Sequence, residues 1–283
     1  MAGLPSPAQL EAIARRIHPG ANVVRSWPLA GGVSAAMTAF EVADERGKTR
    51  TYVLRQPPKW SPAEQEQRLL LLVQGRGVPV PFPRLLGAAA DVLEDDWLVL
   101  DYAEGQPHFG PDFGPRRAEA LASALAAIHA IDTTASDFSF LRTDGDGRAL
   151  LHGDFWPGNI LWQGEHLSAV IDWEDALLGD PLLDVAITRL DLALIHGEAA
   201  TAQFTDRYVE YTGQDTARLP GWDARAVARM EPHLEAWNGS WTDLGRPDLT
   251  MDVIRERFAA FAAGPPGPES GAFRPDVPPG RHG

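Results

Sequence analysis

The sequence predicts an α+β chain in two lobes, a β-rich N-terminal one and a larger, mostly helical C-terminal one. Three observations predict it. Before residue 100, short apolar segments are separated by turn signals such as Gly31-Gly32 and "DERGK". After Gly105 the apolar residues recur at helical spacing, as with Leu121, Leu125 and Ile128. Between the helical stretches, two short apolar segments, Leu150-Leu151 and Leu167 to Ile171, each run into a polar loop containing carboxylates.

In chain order, Gln9 to Ile17 reads as a short amphipathic helix stopped by Pro19-Gly20. Val23 to Leu29, Met37 to Val42 and Thr51 to Arg55 read as three strands of an antiparallel meander. A helix follows, with Ser61 as its expected N-cap and Pro62 at its first position, ending near Gly75 or Gly77. "VPVPFPRLLGAAA" is extended and proline-rich, and "DWLVLDYAEG" is a strand running into a glycine. Arg116 to Ile131 reads as helix, and from Pro181 the chain is mostly helical to about Phe261. The expected division is a lobe over 1–100, a hinge over 101–105, a lobe over 106–263 and a disordered Pro/Gly-rich tail over 264–283. A cleft between two lobes is a natural ligand site.

Composition removes several classes. The chain has no cysteine, so disulfides and thiolate metal sites are excluded. Its formal net charge of −14 argues against a nucleic-acid partner, which needs basic patches. The N-terminal segment has no apolar core of a secretory signal, and the longest aliphatic run, Leu69 to Val73, is too short to span a bilayer. A cytoplasmic protein without a membrane partner is expected.

The chemistry concentrates in "LLHGDFWPGNILWQGEHLSAVIDWEDALLGDPLLD", Leu150 to Asp184. Phosphoryl transfer from a nucleotide needs a carboxylate to take the proton of the attacking hydroxyl and hard oxygen ligands for magnesium. Asp154 and Asn159 share one loop at the separation of base and metal-binding amide in kinase catalytic loops. Asp172 opens the loop after the apolar "AVI" and can offer a carboxylate to the same ion.

His152-Gly153-Asp154, Asn159, Ile171-Asp172-Trp173-Glu174, Gly179-Asp180-Pro181 and Asp184, in that order, strongly resemble the aminoglycoside phosphotransferases and their relatives, the choline and homoserine kinases of that superfamily. The resemblance implies a protein-kinase-like bilobal fold and Mg²⁺-dependent transfer from ATP or GTP to a hydroxyl of a small molecule. By that likeness Asp154 is the base, Asn159 and Asp172 are the metal ligands, and Asp180 and Asp184 brace the catalytic loop, as His152 does by hydrogen bonding.

More loosely, the likeness extends to the N-terminal lobe. "LAGGVSAAMTAFEV" resembles the loop that covers the phosphates, with Gly31, Gly32, Val33 and Ser34 at its turn. Arg55 stands where the family usually has a phosphate-contacting lysine, with Glu66 as its partner on the next helix. Arg55→Lys is therefore expected to retain substantial activity. "LVLDYAEG" resembles the interlobe hinge, where the Asp101 carbonyl and Ala103 amide would meet the base. Backbone recognition leaves no side-chain signature, so ATP and GTP both stand. His129 reads as a buried scaffold histidine. Glu174, Asp175 and Trp237 are candidates for the acceptor site, the two acids facing a cationic substrate or capping a helix, and the tryptophan lining a wall or packing in the core. The alternatives to an antibiotic-modifying kinase are a metabolic kinase of choline, homoserine or a sugar, and a nucleotide-binding pseudokinase. The sequence carries no code for oligomeric state.

Overall fold

The computed structural model describes residues 4–29, 35–134, 138–237 and 241–264. The glycine-loop positions Gly31 to Ser34 and the tail after Gly264 lie outside the described residues.

Helix α1, Pro7–Ile17, starts with a capping box. Gln9 N–H donates to Ser6 Oγ at 3.3 Å, and Ser6 N–H donates to Gln9 Oε1 at 2.8 Å. Its Leu10, Ile13 and Ala14 recur at helical spacing and bury on one face of a sheet. That sheet comprises β1 (Asn22–Pro28), β2 (Ala36–Ala43), β3 (Thr49–Gln56), β4 (Pro83–Gly87) and β5 (Trp97–Asp101). The order is β1-β2-β3-β5-β4 and every pairing is antiparallel.

Strand alternation divides the sheet's two faces between two cores. Trp97 and Val99 join α1, Phe40, Tyr52 and Leu54 on one side. Leu98 and Leu100 face the other way, toward helix α2 (Ala63–Gln74) and the large core of the C-terminal lobe. The start of α2 departs from the expected cap. Pro62 is extended (φ −61°, ψ 136°) and takes the N-cap position without a side-chain bond. The first helical hydrogen bonds run to the Pro62 carbonyl, from Gln65 N–H and Glu66 N–H. Ser61 thus lies one residue too early to cap.

The C-terminal lobe contains α3 (Pro115–His129), α4 (Leu182–His196), α5 (Glu198–Thr212), α6 (Leu219–Met230) and α7 (Met251–Ala263). Short β-segments carry the polar loops: β6 (Ala149–Leu151) pairs with β9 (Leu177–Gly179), and β7 (Ile160–Gln163) pairs with β8 (His166–Val170). Helix α4 packs against α5, α6 and α7, so nearly all of its circumference is buried, including the polar Asp184, Thr188 and Asp191. The connector after β5 docks on β7, where Gln106 and Trp162 exchange backbone hydrogen bonds of 3.2 and 3.0 Å. Among the described residues, no helix is long and apolar enough to cross a membrane.

Candidate active site

The loop after β6 is held from beneath. Asp184 on α4 is fully buried and accepts the backbone N–H groups of His152 (2.7 Å) and Gly153 (2.9 Å). Its Oδ2 also lies 3.2 Å from His129 Nε2, while His129 Nδ1 lies 2.7 Å from the Tyr208 hydroxyl. Burial alone would push the Asp184 carboxyl up; the His129 contact and charge, with the His152 N–H, hold it below the usual carboxylate range. Gly153 turns the chain at φ +81°, where a Cβ would lie 2.2 Å from the Asp175 carbonyl oxygen. The His152 ring lies 3.0 Å from the Ile171 carbonyl, which can only accept, so Nε2 carries the proton and Nδ1 accepts Asp154 N–H at 3.3 Å. Burial lowers the pKa of this histidine, favouring the neutral ring.

Asp154 emerges from that turn. Asn159, in the 3₁₀ turn Pro157–Asn159, donates its Nδ2 to the Asp154 carbonyl (2.9 Å) and to Asp154 Oδ2 (3.1 Å). Burial pushes the Asp154 carboxyl up to about 6, with the charges of Asp175 and Asp172 adding, and Arg229 and Asn159 opposing. Its side chain remains 40% exposed, so solvent moderates the rise. A carboxylate in this range is ionised at neutral pH yet basic enough to share a proton with an attacking hydroxyl.

The second loop leaves β8 beside the first, tied to it by Ile171 N–H donating to the Asn159 carbonyl at 2.9 Å. Asp172 then adopts φ +64°, a left-handed conformation that aspartate tolerates better than most side chains. Across the cleft Arg55, on β3 and 3% exposed, spreads its guanidinium over three carboxylates. Nε donates to Glu66 of α2 at 2.9 Å, and Nη2 to Asp172 (3.0 Å) and Glu174 (2.9 Å). Burial opposes the Arg55 charge, but Glu66, Asp172 and Glu174 outweigh it and raise its pKa. Burial pushes the Glu66 carboxyl up against the pull of Arg55. The guanidinium itself does not give up its proton in proteins.

Asp154, Asn159, Asp172 and Glu174 line a cavity of about 430 Å³. Its other walls come from α4, α6 and the 3₁₀ segment Glu231–Trp237, with Trp237 against Trp156 at 6.0 Å between ring centroids. Asn159 and Asp172 offer the cavity hard oxygen donors from adjacent loops. This pair suits magnesium, which takes one or two protein ligands and completes its shell with phosphate and water oxygens. Among the described residues, no group of three or more His, Cys, Asp or Glu could hold a metal unaided.

Other predicted residues lie outside this cavity. Asp101 ends β5 with its side chain on Arg84 (2.7 and 2.6 Å), and Ala103 follows in the connector. Asp180 caps α4 through Leu182 N–H at 3.0 Å and pairs with Arg218 at 2.7 Å. Asp175 flanks the cavity, 3.7 Å from Arg229 and 3.9 Å from Arg142, and no helix begins directly after it.

Among the cavity residues that escape the sequence reading are a basic and an acidic one, Arg229 and Asp191. Arg229 of α6 donates to the Gly153 carbonyl at 2.8 Å and reaches within 4.0 Å of Asp154 Oδ1. Asp191 of α4 is 3% exposed. For Asp191 a signal existed: it is an acid set between leucines in an almost wholly apolar helix. Arg229, on an amphipathic helix with one other arginine, Arg225, gives none.

The phosphotransferase enzyme family matches residues 28–147 and 143–226, spanning β2 to β5, both loops, α4, α5 and most of α6. A mouse acyl-CoA dehydrogenase family member 10 is 25% identical over 221 residues, 59% of this chain and 21% of that protein. A homoserine kinase of Pseudomonas aeruginosa is 35% identical over 96 residues, 34% of this chain and 26% of that protein. The chain therefore spans about a fifth to a quarter of the length of these curated relatives. Among solved structures, macrolide 2'-phosphotransferase MphH of Brachybacterium faecium superposes with a TM-score of 0.61 at 19% identity, covering 92% of this chain and 99% of that one. A thermostable mutant of aminoglycoside phosphotransferase APH(4)-Ia, in ternary complex with AMP-PNP and hygromycin B, gives 0.56 at 18% identity, covering 90% and 98%. These likenesses give the fold, a kinase-like bilobal one, and the match along most of its length gives the affiliation: the chain belongs to the phosphotransferase enzyme family.

Proposed function

We propose that the chain is a magnesium-dependent phosphotransferase that moves the γ-phosphoryl group of ATP or GTP to a hydroxyl of a small molecule. The observation that carries this reading is the convergence of Asp154, Asn159, Asp172 and Glu174 on one cavity, with buried Arg55 bonded to two of them. In the proposed reaction Asp154 Oδ accepts the proton of the acceptor hydroxyl as its oxygen bonds to the γ-phosphorus. The bond from that phosphorus to the bridging oxygen breaks, and the nucleoside diphosphate leaves. Asn159 keeps the Asp154 carboxylate oriented through Nδ2. Magnesium, held by Asn159 and Asp172, would neutralise charge on the phosphate oxygens. Arg55, fixed by Glu66, adds a second positive charge at the phosphate side of the cleft. The Asp101 carbonyl and Ala103 amide are assigned to the base, and Gly31 to Ser34 to the phosphates.

The proposed division is a nucleotide lobe over 1–100, a hinge over 101–105 and an acceptor lobe over 106–263. Two observations support the acceptor's identity as a small alcohol: the cavity volume, and the complex of a solved relative with hygromycin B and an ATP analogue. The local likeness to homoserine kinase favours a metabolic alcohol as the second reading. A coupled assay of nucleoside-diphosphate release, run over aminoglycosides, macrolides, choline, homoserine and sugars with ATP and GTP, tests the proposal. Mg²⁺-dependent release stimulated by at least one acceptor is expected; its absence with both nucleotides would refute it.

A further inference from the structure

Arg218, Arg225 and Arg229 follow one another along α6 and its cap at spacings of seven and four residues, which bring their side chains onto one side of the helix. Arg218 and Arg225 close ion pairs of 2.7 Å, with Asp180 and Asp144. Arg229 differs. Its Nη1 donates to the Gly153 carbonyl at 2.8 Å, but its Nη2 stands 4.0 Å from Asp154 Oδ1 and 3.7 Å from Asp175 Oδ2. Both distances exceed a hydrogen bond, and among the described residues Nη2 bonds no other group. The side chain is 46% exposed and lines the cavity. One nitrogen of the fork is thus anchored on the turn that presents Asp154, while the other stays open above the carboxylate.

We infer that Arg229 is a catalytic residue whose Nη2 binds the equatorial oxygens of the γ-phosphoryl group as that group crosses to the acceptor hydroxyl. The inference rests on the proposed phosphotransferase reading. Charge and position both select this role. A phosphoryl group in flight spreads negative charge over its three oxygens, and acids crowd its path: Asp154, Asp172, Glu174 and Asp191 all line the cavity. Among the described residues that line it, Arg229 is the one arginine or lysine. Arg55 approaches from the other lobe, but its Nε and Nη2 are already taken by Glu66, Asp172 and Glu174. As to position, a hydroxyl bonded to Asp154 sits about 2.7 Å from the carboxylate, with the phosphorus it attacks beside it. A guanidinium 4.0 Å from Asp154 Oδ1 reaches the same volume. Its contact with the phosphoryl oxygens strengthens as charge builds there, and it gives up no proton, since the hydroxyl proton passes to Asp154. The bond to the Gly153 carbonyl keeps base and cation in register.

The test uses Arg229→Gln and Arg229→Lys in the full chain. Glutamine keeps a donor for the Gly153 carbonyl and drops the charge, whereas lysine keeps the charge without the fork. Single-turnover transfer to the best acceptor of the release screen should fall about a hundredfold in Arg229→Gln and about tenfold or less in Arg229→Lys. Calorimetry supplies a readout that needs no turnover. Mg·ADP with aluminium fluoride, which mimics the phosphoryl group in flight, should bind Arg229→Gln at least about tenfold more weakly than wild type, while Mg·AMP-PNP affinity changes by less than about threefold. Melting should stay within about 2 °C of wild type. Transfer by Arg229→Gln within about threefold of wild type, equal weakening of the two nucleotide complexes, a lysine variant no better than the glutamine one, or a melt lowered by more than about 5 °C would each overturn the assignment. The two failures are distinguishable: a wild type that transfers from neither ATP nor GTP overturns the phosphotransferase reading and this assignment with it, whereas a wild type matched by Arg229→Gln overturns this assignment alone.

Discussion

Replacing Arg55 with alanine tests how the two lobes are joined across the cleft. The side chains of Arg55, Glu66 and Glu174 are 3%, 4% and 13% exposed, and all three are bonded to one another through the guanidinium. Removing the arginine strands two buried carboxylates at once. Breaking a buried pair by removing one partner costs about 3–5 kcal/mol. Asp172, at 30% exposed, recovers solvation and adds little. For a chain somewhat above the 150–250-residue range, at roughly 2–4 °C per kcal/mol, the melting temperature should fall by roughly 10 °C. Arg55→Lys should fall between, because an ammonium is a point charge and cannot reproduce a fork that uses Nε toward Glu66 and Nη2 toward the other two acids. The assay is thermal melting of Arg55→Ala, Glu66→Gln and the double variant, with nucleotide KM measured on each. The pair should be non-additive by about 2–3 kcal/mol, and KM should rise in Arg55→Ala. Full additivity, or a melt of Arg55→Ala within about 2 °C of wild type, would refute the reasoning, since that shift corresponds to about 1 kcal/mol or less.

Three further outcomes follow from the loops. Asp184→Asn should destabilise by roughly 2–4 kcal/mol, because an amide offers one oxygen to two backbone N–H groups and presents its NH₂ to the other. Since the folded pKa of Asp184 is lowered, its stabilisation is present above the unfolded value near 3.9 and is lost as pH falls through the folded value; acid melts from pH 6 to about 3 should therefore be steeper for wild type than for Asp184→Asn. Gly153→Ala should lower both the melting temperature and turnover, by overlap with the Asp175 carbonyl and by the cost of φ +81° to a side chain; an unperturbed variant would show that the turn relaxes freely. Asp172→Gly should melt about 1 kcal/mol above Asp172→Ala, since only glycine is at ease at φ +64°, while both lose Mg²⁺-dependent turnover; equal melts would contradict the backbone argument.

The two polar loops were legible because their residues meet locally: Asp154 and Asn159 meet within one loop, and Asp172 follows a strand that pairs directly with the strand after Asn159. The antiparallel strands were equally legible from turn signals and alternation, with ends misplaced by one or two residues where pairing runs on, as at Thr49 in β3. Ser61 misled because its type suits a cap, whereas backbone conformation at Pro62 decides where the helix starts. The three-residue β9 gives no periodic signal at all. Arg229 belongs to the site only because α6 and α4 pack together, a tertiary fact with no short-range trace, whereas Asp191 shows in the sequence only as an acid between two leucines. Glu174 was legible as a candidate acid, but its bond to Arg55 joins residues 119 positions apart.

The central claim is that Asp154 is the base of a magnesium-dependent phosphotransfer. Its most direct test is single-turnover phosphotransfer by Asp154→Asn, with the best acceptor from the release screen, alongside Mg-nucleotide affinity on the same protein. Asparagine keeps the side-chain shape and retains an oxygen that can accept from Asn159 Nδ2, but it cannot take a proton. The account predicts a rate lowered at least about a hundredfold, the usual worth of a positioned base, with nucleotide affinity changed by less than about threefold. Transfer at near wild-type rate in this variant would contradict it.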